Sequence, residues 1–402
     1  MDPLAYLYSL EQFGIKFGLE NISALVERLG HPERAFRSIH IAGTNGKGSV
    51  TAMVDAALRA GGRRSGRYTS PHLVDLTERF VIDGAPVTET ALAAAVDRVR
   101  SAAESLRAEG RLDVHPTFFE VTTATAFELF REARIDIAVL EVGLGGRLDA
   151  TNVVTPAVTA ITSIAFDHQR YLGSTLREIA HEKAGIIKPG VPLVVGVLDA
   201  EADAVIAREA AALGAPVVRA RREDAQPFAL GLRGVHQIGN AAVAVNVLRT
   251  LGVDDNAIAR GLANPVWPGR LDLRRLADGR ELLLDAAHNP AGAAALASYL
   301  KDAMPERPPL VFAAMKDKDV AGMFRALLPT VGAVVVTRAD NPRSADPEDL
   351  VQLARTVAPE LRATAARSID DALRDAWSIA PRIVVAGSIF LLGDVLKRIG
   401  AA

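Results

Sequence analysis

Short runs of β-branched and aliphatic residues alternate along this chain with longer Ala- and Leu-rich stretches, and that alternation leaves few folds open. The runs are SIHIA (38–42), IDIAVLEV (135–142), AVTAITSI (157–164), VPLVVGVL (191–198), ELLLD (281–285), LVFAA (310–314), AVVVT (333–337) and RIVVAG (382–387). Continuous apolar runs separated by helix-length segments predict an α/β fold built on a mostly parallel sheet covered on both faces. Between them, residues 90–109 carry a helical stripe of Leu92, Ala95, Val96, Val99, Ala102, Ala103 and Leu106, with Arg98, Arg100, Glu104 and Arg107 off it. That segment is a packing helix without chemistry.

Length and composition narrow the picture further. The 402 residues suffice for about two to three domains at roughly 150 residues each. The prolines and glycine of NPVWPGR (264–270) suit a linker. Cutting there predicts an N-terminal domain over 1–268 and a C-terminal domain over 269–402. With 46 Lys+Arg against 48 Asp+Glu, no bulk positive field draws a polyanion, so no nucleic-acid partner is expected. Zero cysteines exclude disulfides, thiolate metal sites and a cysteine nucleophile. No apolar stretch approaches the ~20 residues of a membrane span, and the first residues lack a basic segment followed by an apolar run. A cytoplasmic protein without a membrane partner is the expectation.

After SIHIA come Gly43-Thr44-Asn45-Gly46-Lys47-Gly48-Ser49 and then a helical stretch running to Gly61-Gly62. Strand, glycine loop and helix start is the arrangement in which backbone N–H groups and the positive helix end hold phosphates, with a lysine reaching the outer ones. The strict G-x-x-x-x-G-K-[ST] pattern is not met, because Ile41 stands where its first glycine belongs and Gly48 separates Lys47 from Ser49. No asparagine precedes a lysine, so the guanine-reading motif is missing and ATP is the expected nucleotide. A second loop, Gly143-Leu144-Gly145-Gly146-Arg147-Leu148, also follows a strand. Leu148 takes its third glycine position and the turn-like Asp149-Ala150-Thr151-Asn152 follows, which argues against a dinucleotide fingerprint.

Magnesium takes oxygen ligands, few of them from protein. Glu141 closes the strand IDIAVLEV at the edge where open α/β sheets bind ligands, and Asp167-His168 follows AVTAITSI in the same way. An acid ending such an apolar strand is costly unless satisfied, which favours Glu141 as a metal ligand; His168 alone reads equally well as structural. Thr175 and Glu178 form a capping-box pattern opening the helix that carries Lys183, which from its local sequence reads as a solvated helix lysine.

Taken jointly and in order, the motifs resemble those of folylpolyglutamate synthase and the bifunctional dihydrofolate synthase/folylpolyglutamate synthase, within the Mur ligase superfamily. They are FGIKFGLENI (13–22), HIAGTNGKGSV (40–50), TSPHL (69–73), TFFEVTT (117–123), EVGLGGRLDATN (141–152), DHQRYLG with TLREIAHEKAGIIK (167–188), GVHQIGNAA (234–242), WPGR (267–270), LLLDAAHNP (282–290), MKDKD (315–319) and GSIFLLGDVL (387–396). Two positions depart from the family pattern: Ala286 replaces its usual glycine, and RFVIDG (79–84) differs from its RI-x-ING.

The resemblance implies an N-terminal P-loop ATPase domain and a C-terminal Rossmann-like domain closing over a cleft. It implies ATP-driven phosphorylation of a substrate carboxylate, then attack by L-glutamate to form an amide. By motif, Gly43, Thr44, Asn45, Gly46, Lys47, Gly48 and Ser49 would hold phosphates, with Asn240, Arg270 and Asp285 at the nucleotide. Ser70, Glu141 and His168 would bind Mg²⁺ together with Lys183, which the family carbamylates. Phe118, Phe119, Glu120, Leu148, Asp149 and Ala150 would face the pterin-bearing substrate, and His288 and Ser388 the glutamate or the transfer chemistry. Other roles fit some of these residues: Phe118 and Phe119 as core, Asn289-Pro290 as a helix start, Arg270 as a tie between domains. The expected partners are small molecules, namely folate or dihydropteroate, L-glutamate and ATP, bound by a monomer. The alternatives are a Mur-type amide ligase with another acceptor, or an ATP-binding switch that does not ligate.

Overall fold

The computed structural model describes residues 2–14 and 16–400, so Ile15 of the FGIKFGLENI motif lies outside the described residues. Contacts gather the chain into two compact units: residues 1–164, 175–229 and 239–265 form the first, and residues 165–174, 230–238 and 266–402 the second.

The first unit is built on an eight-stranded sheet. Its strands run in the order Ala85–Pro86, Phe80–Ile82, Ser65–Tyr68, Ile137–Glu141, Arg37–Ala42, Val158–Ile161, Leu193–Val195 and Val217–Arg219. Every pairing from Ser65–Tyr68 to Val217–Arg219 is parallel, and only the two pairings at the other edge, on either side of Phe80–Ile82, are antiparallel. All five residues of Ile137–Glu141 are buried. Successive side chains in a strand point to opposite faces, so this sheet is covered on both. The helix Glu89–Ala108 buries all seven residues of the predicted stripe, and these join one core with Phe127, Phe130, Tyr68 and Phe80. Asp83 and Gly84, with φ of 50° and 86°, make the tight turn between Phe80–Ile82 and Ala85–Pro86, where Asp83 Oδ1 also accepts the Ser65 N–H. An aspartate–glycine pair suits that turn because both central residues need positive φ.

The second unit holds a six-stranded sheet ordered Arg362–Ala365, Ala333–Val336, Leu310–Phe312, Arg382–Ala386, Glu281–Asp285 and Asp272–Arg275. Only the last pairing is antiparallel. Its core gathers Leu283, Phe312, Phe324, Val334 and Val384. The α/β class with mostly parallel sheets is therefore observed in both units, and the predicted strands are present with trimmed ends: VPLVVGVL, for instance, pairs only over Leu193–Val195. Among the described residues no helix is long and apolar enough to cross a membrane.

Candidate active site

In the first unit the phosphate-loop candidates lie between strand Arg37–Ala42 and helix Lys47–Ala60. Gly43 and Gly46 have φ of 152° and 85°. A Cβ on Gly43 would sit 1.9 Å from Thr162 Oγ1, and one on Gly46 would sit 2.2 Å from Asn240 Oδ1, so both positions require glycine. The loop is fastened to the end of the next strand: Asn45 N–H donates to Ser163 Oγ at 3.0 Å, and Thr162 Oγ1 donates back to Asn45 O at 2.7 Å. Helix Lys47–Ala60 begins at Gly46 without a side-chain cap, which leaves its first-turn N–H groups and positive dipole end for an anion. Lys47 Nζ donates to Gly43 O and Thr44 O, at 3.1 and 3.3 Å.

Lys183 is buried at 3% exposure, and its Nζ donates to the same Gly43 O at 3.0 Å. The local sequence had suggested a solvated lysine. Burial arises because helix Leu176–Ala184, opened by the predicted Thr175–Glu178 capping box, packs against the glycines of the GLGGR loop. A Cβ on Gly146 would lie 3.1 Å from Lys183 O, and one on Gly185 would lie 2.3 Å from Arg147 Cα. Glu141, at 5% exposure, takes the backbone N–H of Ser70 on Oε2 at 3.3 Å, which makes the two residues neighbours.

The expected substrate residues fall in the same unit. Phe119 packs on Gly143, where a Cβ would meet its Cζ at 2.6 Å, and Phe118 lies under the Arg79 guanidinium at 5.1 Å; both rings are half-buried. Glu120 completes a capping box with Thr117, its Oε2 accepting the Thr117 N–H at 2.8 Å, while its buried Oε1 has no partner. Leu148 is half-buried and Ala150 buried. Asp149 is buried and caps the short 3-10 helix Ala150–Val153. Burial pushes its carboxyl above the usual range, against the Thr151 hydroxyl and the N–H groups of Leu144, Thr151 and Gly143, which favour the anion.

The second unit assembles a separate cluster. Asp285 ends strand Glu281–Asp285 and accepts the Leu271 N–H at 2.9 Å and the Ala287 N–H at 3.0 Å. Burial raises its carboxyl, opposed by the nearby charges of Arg270 and His236. Ala286 has no positive φ, so the methyl group in place of glycine is accommodated. Asn289 caps helix Pro290–Ala303 and also donates from Nδ2 to Asp167 Oδ2 at 3.0 Å. His288 Nδ1 meets Ala286 O at 2.8 Å, and its Nε2 lies 3.3 Å from Asp167 Oδ2. His168, with φ of 51°, places Nε2 3.4 Å from Lys318 Nζ. Ser388 is buried as the cap of helix Ile389–Ile399. Asp167 is thus the hub of this cluster, and Lys318, in the MKDKD segment, is a member to which the sequence assigned no role.

Among the described residues, no three His, Cys, Asp or Glu side chains form a ready metal cluster. The oxygens of Glu141 and Ser70 nevertheless suit Mg²⁺, which leaves most of its octahedron to water and phosphate.

A glycine-loop α/β unit and a second mostly parallel α/β unit, each bearing such residues, define the Mur ligase class. The chain matches the Mur ligase middle domain over residues 41–226 and the Mur ligase glutamate ligase domain over residues 269–389. Within that class it belongs to the folylpolyglutamate synthase/dihydrofolate synthase family. It is 34% identical to the dihydrofolate synthase/folylpolyglutamate synthase of Bacillus subtilis, over 99% of this chain and 98% of the relative. The structure of Mycobacterium tuberculosis folylpolyglutamate synthase complexed with ADP and AMPPCP superposes with TM-score 0.91 at 36% identity, covering 99% of each chain. The bifunctional enzyme of Yersinia pestis, complexed with AMPPNP and Mn ion, gives 0.85 at 31% identity, over 99% of this chain and 97% of that one.

Proposed function

We propose that this protein is an ATP- and Mg²⁺-dependent ligase that adds L-glutamate to a folate-type acceptor, a folate or dihydropteroate. The observation that carries this reading is the uncapped start of helix Lys47–Ala60 behind a glycine loop that admits no side chain, with two lysines directed at Gly43 O. Family membership supports the rest. A carboxylate is a poor electrophile. Transfer of the γ-phosphoryl group from ATP to one carboxylate oxygen makes an acyl phosphate and ADP; the glutamate amine then attacks the carbonyl carbon, a proton leaves the amine, and phosphate departs with the former carboxylate oxygen.

In this reading the 43–49 loop and Lys47 bind phosphates, Asn240, Arg270 and Asp285 serve the nucleotide, and Arg270 offsets phosphate charge as it develops. Ser70, Glu141, His168 and Lys183 are the proposed Mg²⁺ ligands, and the ion would supply charge neutralisation at the phosphates. Carbamylation of Lys183 needs a neutral amine. Phe118, Phe119, Glu120, Leu148, Asp149 and Ala150 are proposed to face the pterin-bearing acceptor, and His288 and Ser388 the glutamate. A domain division at 268/269 accompanies the reading, supported by the start of the glutamate ligase domain match at residue 269. Residues 165–174 and 230–238 nonetheless pack with the C-terminal unit. The enzyme is proposed to act as a cytoplasmic monomer.

The test is phosphate release from ATP with dihydropteroate or tetrahydrofolate as acceptor. Release that requires both acceptor and L-glutamate is expected. Release indifferent to glutamate would point to a switch, and no glutamate-dependent release with either acceptor would point to a different Mur-type substrate.

A further inference from the structure

Strand Arg37–Ala42 turns Ile39 and Ile41 to one face and Ser38, His40 and Ala42 to the other. His40 is fully buried at 0% exposure in the middle of this apolar strand. Its Nε2 lies 2.7 Å from Thr151 Oγ1. The Thr151 hydroxyl donates to Asp149 Oδ1, so its one proton is already used and it accepts from His40 Nε2–H. Donor direction therefore runs from His40 to Thr151 to Asp149. Asp149 in turn receives the Thr151 N–H on Oδ1 at 3.0 Å and the Leu144 N–H on Oδ2 at 2.9 Å. The Nδ1 of His40 is left buried without a partner.

An aliphatic residue at position 40 would fill this slot without that orphaned nitrogen, whose desolvation is a cost. What the imidazole adds is one donor, at the end of a chain whose other end is the loop from Gly143 to Ala150. We infer that His40 is a positioning residue: through Thr151 it holds Asp149, and with it this loop, in the geometry that receives the folate-type acceptor. The inference rests on the acceptor role proposed above for Leu148, Asp149 and Ala150. Because the hydrogen bond of the His40 side chain runs to Thr151, its loss is felt at the acceptor and not at ATP.

The experiment compares His40→Leu, His40→Gln, Thr151→Val and Thr151→Ser in the full chain, measuring KM for acceptor, ATP and glutamate, kcat, and thermal midpoint. His40→Leu and Thr151→Val should each raise the acceptor KM about tenfold, the factor for one lost hydrogen bond in a charged chain, with ATP KM within about twofold. His40→Gln and Thr151→Ser, which keep the donor and the hydroxyl, should recover most of the loss. An unchanged acceptor KM in soluble His40→Leu or Thr151→Val overturns the inference, as does an equal rise in both KM values, or a Gln variant as impaired as Leu. Should Leu fail to fold, the contrast of Thr151→Val with Thr151→Ser decides in the same way. Wild-type protein that ligates no glutamate to either acceptor would overturn the proposed function and this inference with it, whereas active wild type with indifferent variants overturns only the inference.

Discussion

Lys318 Nζ and Asp167 Oδ1 lie 2.6 Å apart, and the two side chains are only 9% and 7% exposed. The pair is separated by 151 positions in the chain, and Asp167 is shared with His288 and Asn289. Removing one partner of such a pair leaves a buried charge uncompensated. Asp167→Ala should therefore destabilise the second unit by about 3–5 kcal/mol, read as a lowered urea midpoint with fluorescence from Trp267 and Trp377.

The same pair makes an acid-pH prediction. Burial alone would raise the Asp167 carboxyl, but hydrogen bonding to His288 and the charges of His288, Lys318 and His168 outweigh it and hold the carboxyl well below the usual carboxylate range. A depressed folded value contributes stability that is complete above the unfolded value of about 3.9 and is lost as pH falls below it. The stability advantage of wild type over Asp167→Asn should shrink as pH falls below about 4. An advantage undiminished between about pH 4 and 2 would contradict the assignment.

His40 predicts a different window. Burial, with a smaller push from the Lys188 charge, takes its imidazole down to about 3. The folded state then refuses a proton that the unfolded chain binds below about 6.5, so stability is full above that value and falls as pH drops toward 3. The slope from this one group is about 1.4 kcal/mol per pH unit. His40→Gln should flatten the denaturation-midpoint profile between pH 6 and 4 relative to wild type.

Glu141→Gln keeps the shape of the side chain while removing its charge. It should lower kcat for ligation by about 10²–10³-fold, the range for loss of one electrostatic partner at a reacting centre, and leave cooperative unfolding intact. Turnover close to wild type, measured by phosphate release at saturating Mg²⁺, would remove Glu141 from the metal assignment.

Gly46→Ala places a methyl group at φ 85° and 2.2 Å from Asn240 Oδ1. Strain of about 1–3 kcal/mol in the loop corresponds to an ATP affinity loss of roughly 5–150-fold. Equilibrium binding of a non-hydrolysable ATP analogue is the measurement, and Gly62→Ala, at a positive-φ glycine with open space around it, is the matched control.

Strands with continuous apolar runs were legible because burial on both faces imposes that composition, as in IDIAVLEV and ELLLD. The strands Ser65–Tyr68, Val217–Arg219, Asp272–Arg275 and Arg362–Ala365 carry no such signal. Val217–Arg219 and Asp272–Arg275 lie at sheet edges, where solvent on one side tolerates arginine and aspartate, and pairing with a neighbour decides their conformation. Glu120 and Ser388 were readable as site residues by motif, but their roles as helix caps required the backbone around them.

What the sequence determined by itself was everything that local periodicity and short motifs encode: the α/β class, the glycine loop before a helix, the capping box at Thr175, and the family. Only the tertiary structure decided that Lys183 is buried against Gly43 O, that His40 donates toward Asp149, and that Lys318 closes on Asp167. Each of these joins residues that are distant in the chain. Their meeting depends on strand order and helix packing, which arise from burial summed over the whole domain and leave no trace in the few residues on either side.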